Sequence, residues 1–366
     1  MTIDALKKTS LHEFHKAHGA RLVPFGGWDM PVQYMGILAE HLAVRNAAGL
    51  FDVSHMGEAR VIGPQARAFL DQLVTNDVSQ MSPGRVLYTP MCYESGTVVD
   101  DLLIYCRSDT DFLLCINAGN TEKDIEWLLD KSASFDCVVE DVSAEYCQLA
   151  LQGPKAEVIL QNLVKVALSE ISYYHFVEAS ICGKTAILSR TGYTGEAGFE
   201  VYAAWDQGPV IAQAMFDAGK DEGLVLAGLG ARDSLRLEAG FPLYGHEISE
   251  TATPFEGGIG WTVKLKKASD FVGRSALVQQ KAEGIPRRTV FFVLNDRRIA
   301  RAGAQVLSGD ELVGEVVSGT QSPVLNQPIG SALINSDFVS SEKLEVDLRG
   351  KRYGIKPVRP PIHKNA

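Results

Sequence analysis

Two adjacent carboxylates, Asp100 and Asp101, interrupt the apolar run Gly96-Thr97-Val98-Val99-Asp100-Asp101-Leu102-Leu103-Ile104-Tyr105. The length and β-branching of that run predict a buried strand. Side chains next to each other in a strand point to opposite faces. One carboxylate therefore meets solvent or a backbone donor, and the other meets whatever the inner face encloses. Burying a carboxylate is costly unless a cation or a hydrogen-bond donor meets it. A strand-end Asp satisfied by nearby amides and a site carboxylate on a rigid element both fit this stretch. A second inward carboxylate is Glu200. It closes Arg190-Thr191-Gly192-Tyr193-Thr194-Gly195-Glu196-Ala197-Gly198-Phe199-Glu200, whose glycines allow tight backbone and close ligand approach.

Other polar groupings point to less. Asp52, Ser54 and His55 hold the residue types of a hydrolytic triad, but sequence neighbours rarely form one and no G-x-S-x-G elbow is present. His12, His15 and His18 recur at helical spacing without the H-E-x-x-H pattern of a metal helix, so a solvated helix face is expected and no metal. Gly228-Leu229-Gly230-Ala231-Arg232-Asp233 resembles G-x-G-x-x-G only superficially, because Asp233 takes the sixth position. No strand in a βαβ context is expected before it, and a helix is expected to begin with Arg232. The six cysteines show no C-x-x-C and no zinc spacing.

The elements that must position these residues carry an internal echo. Gly63-Pro64-Gln65-Ala66 through Leu73-Val74 matches Gly153-Pro154-Lys155-Ala156 through Leu163-Val164. Each copy follows a short strand, Ala59–Ile62 or Gln148–Leu151. Each continues toward a later helix, 121–130 in the first and 207–219 in the second. A helix is also expected over 37–48, with Gly49 as its cap. Duplication explains the shared offsets better than chance. Two such halves packed face to face would enclose a crevice between their sheets. In the first half, the strand with Asp100 and Asp101 is expected between Tyr88 and the strand Phe112–Asn117. After about Trp261 the pattern changes to short alternating strands, 289–294, 305–307, 313–317 and 344–346, and predicts an all-β domain.

Composition bounds the function. The 366 residues predict two or three domains, and a net charge of −10 argues against nucleic acid as a partner. From Arg349 to Ala366 the tail is basic, with six Lys and Arg and no acid. Several of the cysteines lie in apolar runs, and they read as reduced core thiols of a cytoplasmic protein. No apolar run reaches membrane-span length, so no membrane partner is expected. Met1–Lys8 has no apolar leader core.

Six stretches together resemble one known family. They are Phe51-Asp52-Val53-Ser54-His55-Met56, Val99-Asp100-Asp101-Leu102, Arg190 to Glu196, Gly228 to Asp233, Leu243-Tyr244-Gly245-His246-Glu247 and Ser318-Gly319-Thr320-Gln321-Ser322-Pro323. The match, collinear over nearly the whole chain, is to the aminomethyltransferase, or T-protein, family of the glycine cleavage system. The resemblance implies an α+β fold, a three-domain cloverleaf around a central folate cavity. Its parts would be residues 1–50 with 143–262, residues 51–142 carrying the catalytic Asp, and an all-β, barrel-like 263–366. It implies transfer of a methylene unit from the aminomethyl-lipoyl arm of H-protein to tetrahydrofolate as co-substrate, without a metal. Carried over by position, the catalytic carboxylate falls on Asp101. The folate contacts fall on Met56, Tyr88, Tyr105, Asn117, Tyr174, Tyr193, Glu200 and Arg232, with Arg359 as the C-terminal contact. One departure is visible: the family usually has two glycines before the acidic strand, and here Gly96 is followed by Thr97.

The chemistry suits those residues. The one-carbon unit passes through iminium-like, positively charged species, which a fixed carboxylate stabilises strongly in a water-poor hole. A pterin edge offers adjacent N–H donors that Glu200 can pair with side by side. Arg232 could meet a ring carbonyl, and Tyr88, Tyr193 and Met56 could line the flat ring. Lys264, Lys266, Lys267 and the basic tail are candidates for docking the acidic H-protein. Folate-dependent demethylases of the same fold are the alternative enzyme reading. An iron–sulphur assembly helper is the non-enzymatic one, but its K-G-C-x-x-G-Q-E signature is replaced here by Phe241-Pro242-Leu243-Tyr244-Gly245-His246-Glu247.

Overall fold

A computed structural model of the chain describes residues 6–365. Most of the stretch read for a leader, Met1–Lys8, lies outside the described residues. The chain falls into two units. One comprises Met1–Phe69, Gln80–Leu87 and Leu103–Asp233; the other comprises Leu70–Ser79, Tyr88–Leu102 and Ser234–Ala366. The strands Val86–Cys92 and Val98–Ser108 contribute residues to both. Among the described residues no helix is long and apolar enough to cross a membrane.

The first unit holds a six-stranded sheet in the order Phe176–Ile181, Lys184–Ser189, Gly198–Ala204, Tyr146–Gln152, Ala48–Asp52 and Leu224–Leu226. The pairings are antiparallel except the last. Alternation along its strands sorts the side chains by face. Leu149, Leu151, Phe199 and Val201 meet Ile159, Leu160, Ile211 and Met215 from the helices Ala156–Gln161 and Gly208–Gly219. Each such side chain contributes roughly 1.5–3 kcal/mol when fully buried. The other face carries Gln148, Glu200 and Tyr202. It meets a second sheet, ordered Val86–Cys92, Val98–Ser108, Asp111–Ile116, Gly57–Ile62 and Val138–Asp141. Tyr105, Leu113 and Cys115 from that sheet pack with Ile187 and Tyr202 in a shared layer. The Asp-bearing strand lies between Val86–Cys92 and Asp111–Ile116, as expected.

The echo is structural as well. The strands Gly57–Ile62 and Tyr146–Gln152 each turn through a glycine, Gly63 at φ 139 and Gly153 at φ 128, into the helices Ala66–Leu73 and Ala156–Gln161. A Cβ at either glycine would lie within 2.7 Å of backbone, so neither turn admits a side chain.

Three expectations need correction in this unit. The helix His12–Ala17 is not solvated on its histidine side: His12 and His15 are buried. His12 Nε2 lies 2.9 Å from Asp29 and His15 Nε2 lies 2.8 Å from Asp52. Helical spacing gives the common face of the histidines but not what covers it. The helix over Gly228–Asp233 starts at Leu229 rather than Arg232. Glu40 explains this, since its carboxylate accepts the Gly228 N–H at 2.9 Å from far along the chain. A short strand, Leu224–Leu226, does precede this helix and runs parallel to Ala48–Asp52.

The second unit ends in a closed barrel of six strands, ordered Arg287–Leu294, Gln327–Asn335, Glu311–Ser322, Gln305–Ser308, Leu344–Asp347 and Arg352–Val358. Val290, Phe292, Val306, Val316, Ala332 and Val346 fill it. This part of the chain was expected to be all-β, yet the helix Arg274–Glu283 precedes the barrel. Its Leu277 packs on Cys92, Val263 and Phe271. Lys267 is also not a surface cation. It is buried, and its ammonium donates to the carbonyls of Asp71, Val74 and Asn76 and to the Asp71 carboxylate. That side chain ties two segments of the unit together and leaves Lys264 and Lys266 as the exposed lysines there.

Candidate active site

Strand alternation along Val98–Ser108 separates the two carboxylates. Asp100 is fully buried (0% exposed) with Leu102 and Ile104, while Asp101 is half-buried and shares its face with Leu103 and Tyr105. Asp101 Oδ2 accepts the Tyr88 hydroxyl at 2.9 Å. The Tyr88 ring lies against Trp261, with centroids 5.9 Å apart and planes 30° apart. The catalytic candidate is thus held on a rigid strand by a donor that is itself fixed by packing. In the second unit, then, the structure brings Asp101 and Tyr88 together.

The first unit gathers most of the others. Glu200 is buried on the polar face of its strand. Its Oε2 accepts the Thr191 hydroxyl at 2.6 Å and its Oε1 accepts the Gln148 amide at 3.1 Å. Burial pushes its carboxyl above the usual range, against the opposing pull of Thr191, the Arg232 charge and Gln148. Gln148 also donates to the Tyr202 hydroxyl at 2.9 Å, which is 2.9 Å from that of Tyr105. Tyr105 is fully buried, edge-on to Phe176 and Tyr202. Met56 and Tyr174 are half-buried against the same layer. Tyr174 sits at φ 58, its N–H on the Arg190 carbonyl at 3.0 Å. The Arg232 guanidinium lies 4.7 Å from the centre of the Tyr193 ring. This cation–π arrangement fixes a flat ring and a charge side by side.

Two candidates lie just past the ends of strands. Asn117 is half-buried where the strand Asp111–Ile116 gives way to a short 3-10 turn, and its carbonyl accepts from Asn120. Arg359 is exposed just beyond the barrel strand Arg352–Val358, with its carbonyl on Asn365. The triad idea is excluded by geometry. The Asp52 carboxylate is taken by His15, Thr9 and the Ser54 N–H, while the Ser54 hydroxyl donates to the Gln148 carbonyl. Burial, then the Arg232 charge, pushes His55 down to about 4, so its ring is neutral.

Reasoning from the sequence missed the residues that hold Glu200 in place. Gln148 and Gln152 interrupt the apolar strand Tyr146–Gln152, and that interruption was the available signal. Gln152 donates to the Thr191 and Phe199 carbonyls and accepts the Thr194 hydroxyl at 2.9 Å. It therefore moulds the glycine-rich stretch before Glu200. A Cβ on Gly192 would lie 2.0 Å from the Gln152 amide oxygen, which is why that position is glycine.

Comparison with known proteins covers the whole arrangement. A family model described as the GCVT N-terminal domain matches residues 11–267. A second, described as the glycine cleavage T-protein C-terminal barrel domain, matches residues 287–364. The chain is 49% identical over 364 residues to an aminomethyltransferase of Listeria monocytogenes, covering 99% of each. It is 47% identical over 363 residues to an aminomethyltransferase of Lysinibacillus sphaericus, again covering 99% of each. Among solved structures, the glycine cleavage system aminomethyltransferase T of Bartonella henselae superposes with a TM-score of 0.91 at 32% identity, covering 98% of both chains.

Proposed function

This chain belongs to the glycine cleavage T-protein family and is an aminomethyltransferase, and from that premise we propose its substrates and the work of its residues. The donor is the aminomethyl group on the lipoyl arm of H-protein, and the acceptor is tetrahydrofolate. The products are 5,10-methylenetetrahydrofolate, ammonia and the dihydrolipoyl arm. The enzyme works in the cytoplasm.

Asp101 is the catalytic carboxylate. It stabilises the positive charge that develops on the one-carbon unit and accepts or orients a proton beside the folate amines. Tyr88 keeps it in one rotamer. Glu200 reads the donor edge of the pterin. Its two neutral donors, Thr191 and Gln148, leave lone pairs for further N–H groups. Arg232, with Tyr193 beneath it, meets a ring carbonyl. Met56, Tyr105, Asn117, Tyr174 and Arg359 complete the folate contacts.

The observation that carries this reading is the single strand face bearing Asp101 and Tyr105, with the Tyr88 hydroxyl on Asp101. The test is ammonia release from glycine in the presence of lipoylated H-protein, glycine decarboxylase and tetrahydrofolate. Asp101→Asn should keep folate binding and lower turnover at least about a hundredfold, the usual loss for one preorganised group. Near-wild-type turnover would remove Asp101 from the mechanism. Turnover that does not require H-protein would favour a demethylase instead.

A further inference from the structure

Glu58 lies mid-strand in Gly57–Ile62, paired across to Cys115, and is 1% exposed. Among the described residues neither of its carboxylate oxygens has a hydrogen-bond partner. Its backbone is pinned: its N–H donates to Ser143 Oγ, and its carbonyl accepts the Val142 N–H. A purely structural position in this layer would be apolar, since a buried polar group without a partner is destabilising.

Its surroundings link it to Glu200. The Cys115 thiol, opposite Glu58 on the next strand, donates to the Gln148 side-chain oxygen at 3.6 Å. The Gln148 amide then donates to Glu200 at 3.1 Å. Two carboxylates buried beside this path cannot both ionise cheaply. Glu200 has Thr191, Gln148 and the Arg232 charge on its side, whereas Glu58 has no donor among the described residues and feels the Asp141 charge. The other ionisable groups that feel Glu58 are Cys115, Tyr146 and Cys147. The nearby strand cations Arg60 and Arg107 are engaged by Asp111 and Glu178.

We propose that Glu58 is a positioning residue for the folate-reading carboxylate: it stays a neutral carboxylic acid, so that the buried group of Glu58, Cys115, Gln148 and Glu200 carries its one negative charge at Glu200. Burial, and then Asp141, push the Glu58 carboxyl well above the usual carboxylate range, in keeping with this. Ionisation of Glu58 would raise Glu200 further and weaken its hold on pterin N–H donors. The inference rests on the folate reading above for its consequence, but not for the protonation state itself.

Two measurements on the full chain test it. In the first, tetrahydrofolate affinity is measured from about pH 6 to about pH 9 for wild type and Glu58→Gln. Glu58→Gln, a neutral isostere, should match wild type at the acidic end. The wild type should then lose up to about tenfold relative to the variant at the alkaline end, the size of a one-unit shift at Glu200. A variant that binds tetrahydrofolate about tenfold more tightly than wild type already at neutral pH overturns the proposal, because Glu58 would then be ionised there. The second measurement needs no ligand. With ¹³C-labelled glutamate, wild type should show one carboxyl carbon in the protonated position at neutral pH that is missing from Glu58→Gln; complete ionisation of all glutamates there overturns the proposal. Wild type that binds no tetrahydrofolate but shows this protonated carboxyl would refute the folate reading and leave the protonation state of Glu58 standing.

Discussion

Glu200 in the first unit and Glu247 in the second are both buried carboxylates, yet their partners differ. Glu247 is 1% exposed; it accepts from Arg236 Nη1 at 2.9 Å, the Leu243 N–H at 3.0 Å and Ser331 Oγ at 2.5 Å. Burial would raise it, but Arg236 and these donors more than offset that and hold it below the usual range. Among the described residues the donors bonded to Glu200 are the neutral Thr191 and Gln148, and burial prevails. A carboxylate saturated by a guanidinium has no capacity left for a ligand and serves the fold. One left partly served, on a rigid strand, can still take a partner.

The contrast can be broken most sharply at Glu247. Replacing it by Ala strands a buried guanidinium, and loss of one partner of such a pair costs about 3–5 kcal/mol. Chemical denaturation should show that loss; a change below about 1 kcal/mol would end the distinction. Next in size, Glu200→Gln should weaken tetrahydrofolate binding by about ten- to a hundredfold, in line with lost hydrogen bonds to a charged group. Its unfolding free energy should stay near that of wild type, and calorimetric titration alongside denaturation checks both.

The smallest effect lies in the pH response, and its sign differs between the two. A carboxyl held low in the folded chain gives stability that is present above the unfolded range, about pH 4.3, and lost as pH falls through its folded value. A carboxyl held high does the reverse, and stability falls as pH rises from the unfolded to the folded value. The melting-temperature deficit of Glu247→Gln should therefore shrink on acidification, while Glu200→Gln should gain on wild type as pH rises. Parallel curves for the two variants would show that their environments are equivalent.

Much of this arrangement was legible in the sequence. The apolar run around Asp100 and Asp101, the duplicated Gly-Pro turns and the glycines before Glu200 each encode a local constraint. What stayed hidden depends on long-range contacts. The start of the helix at Leu229 is set by Glu40, and the burial of His12 and His15 by Asp29 and Asp52. Lys267 read as a surface charge because its partners are backbone carbonyls near residue 74, which no pattern marks. The barrel strands Gln327–Asn335 and Arg352–Val358 were overlooked because Pro328, Gly330, Gly354 and Pro357 interrupt their alternation. Glu58 has no motif, and only the lack of a partner in three dimensions singles it out.

The ring of strands at the end of the chain has one more consequence. Arg352–Val358 pairs with Leu344–Asp347 on one side and with Arg287–Leu294 on the other. The barrel strand that comes last in chain order is thus the stave that shuts the cask. Until it docks, the first and fifth staves each present an open row of amides on which a neighbouring chain could template. The risk of mispairing lasts as long as that gap is open, and it disappears when the final stave is seated.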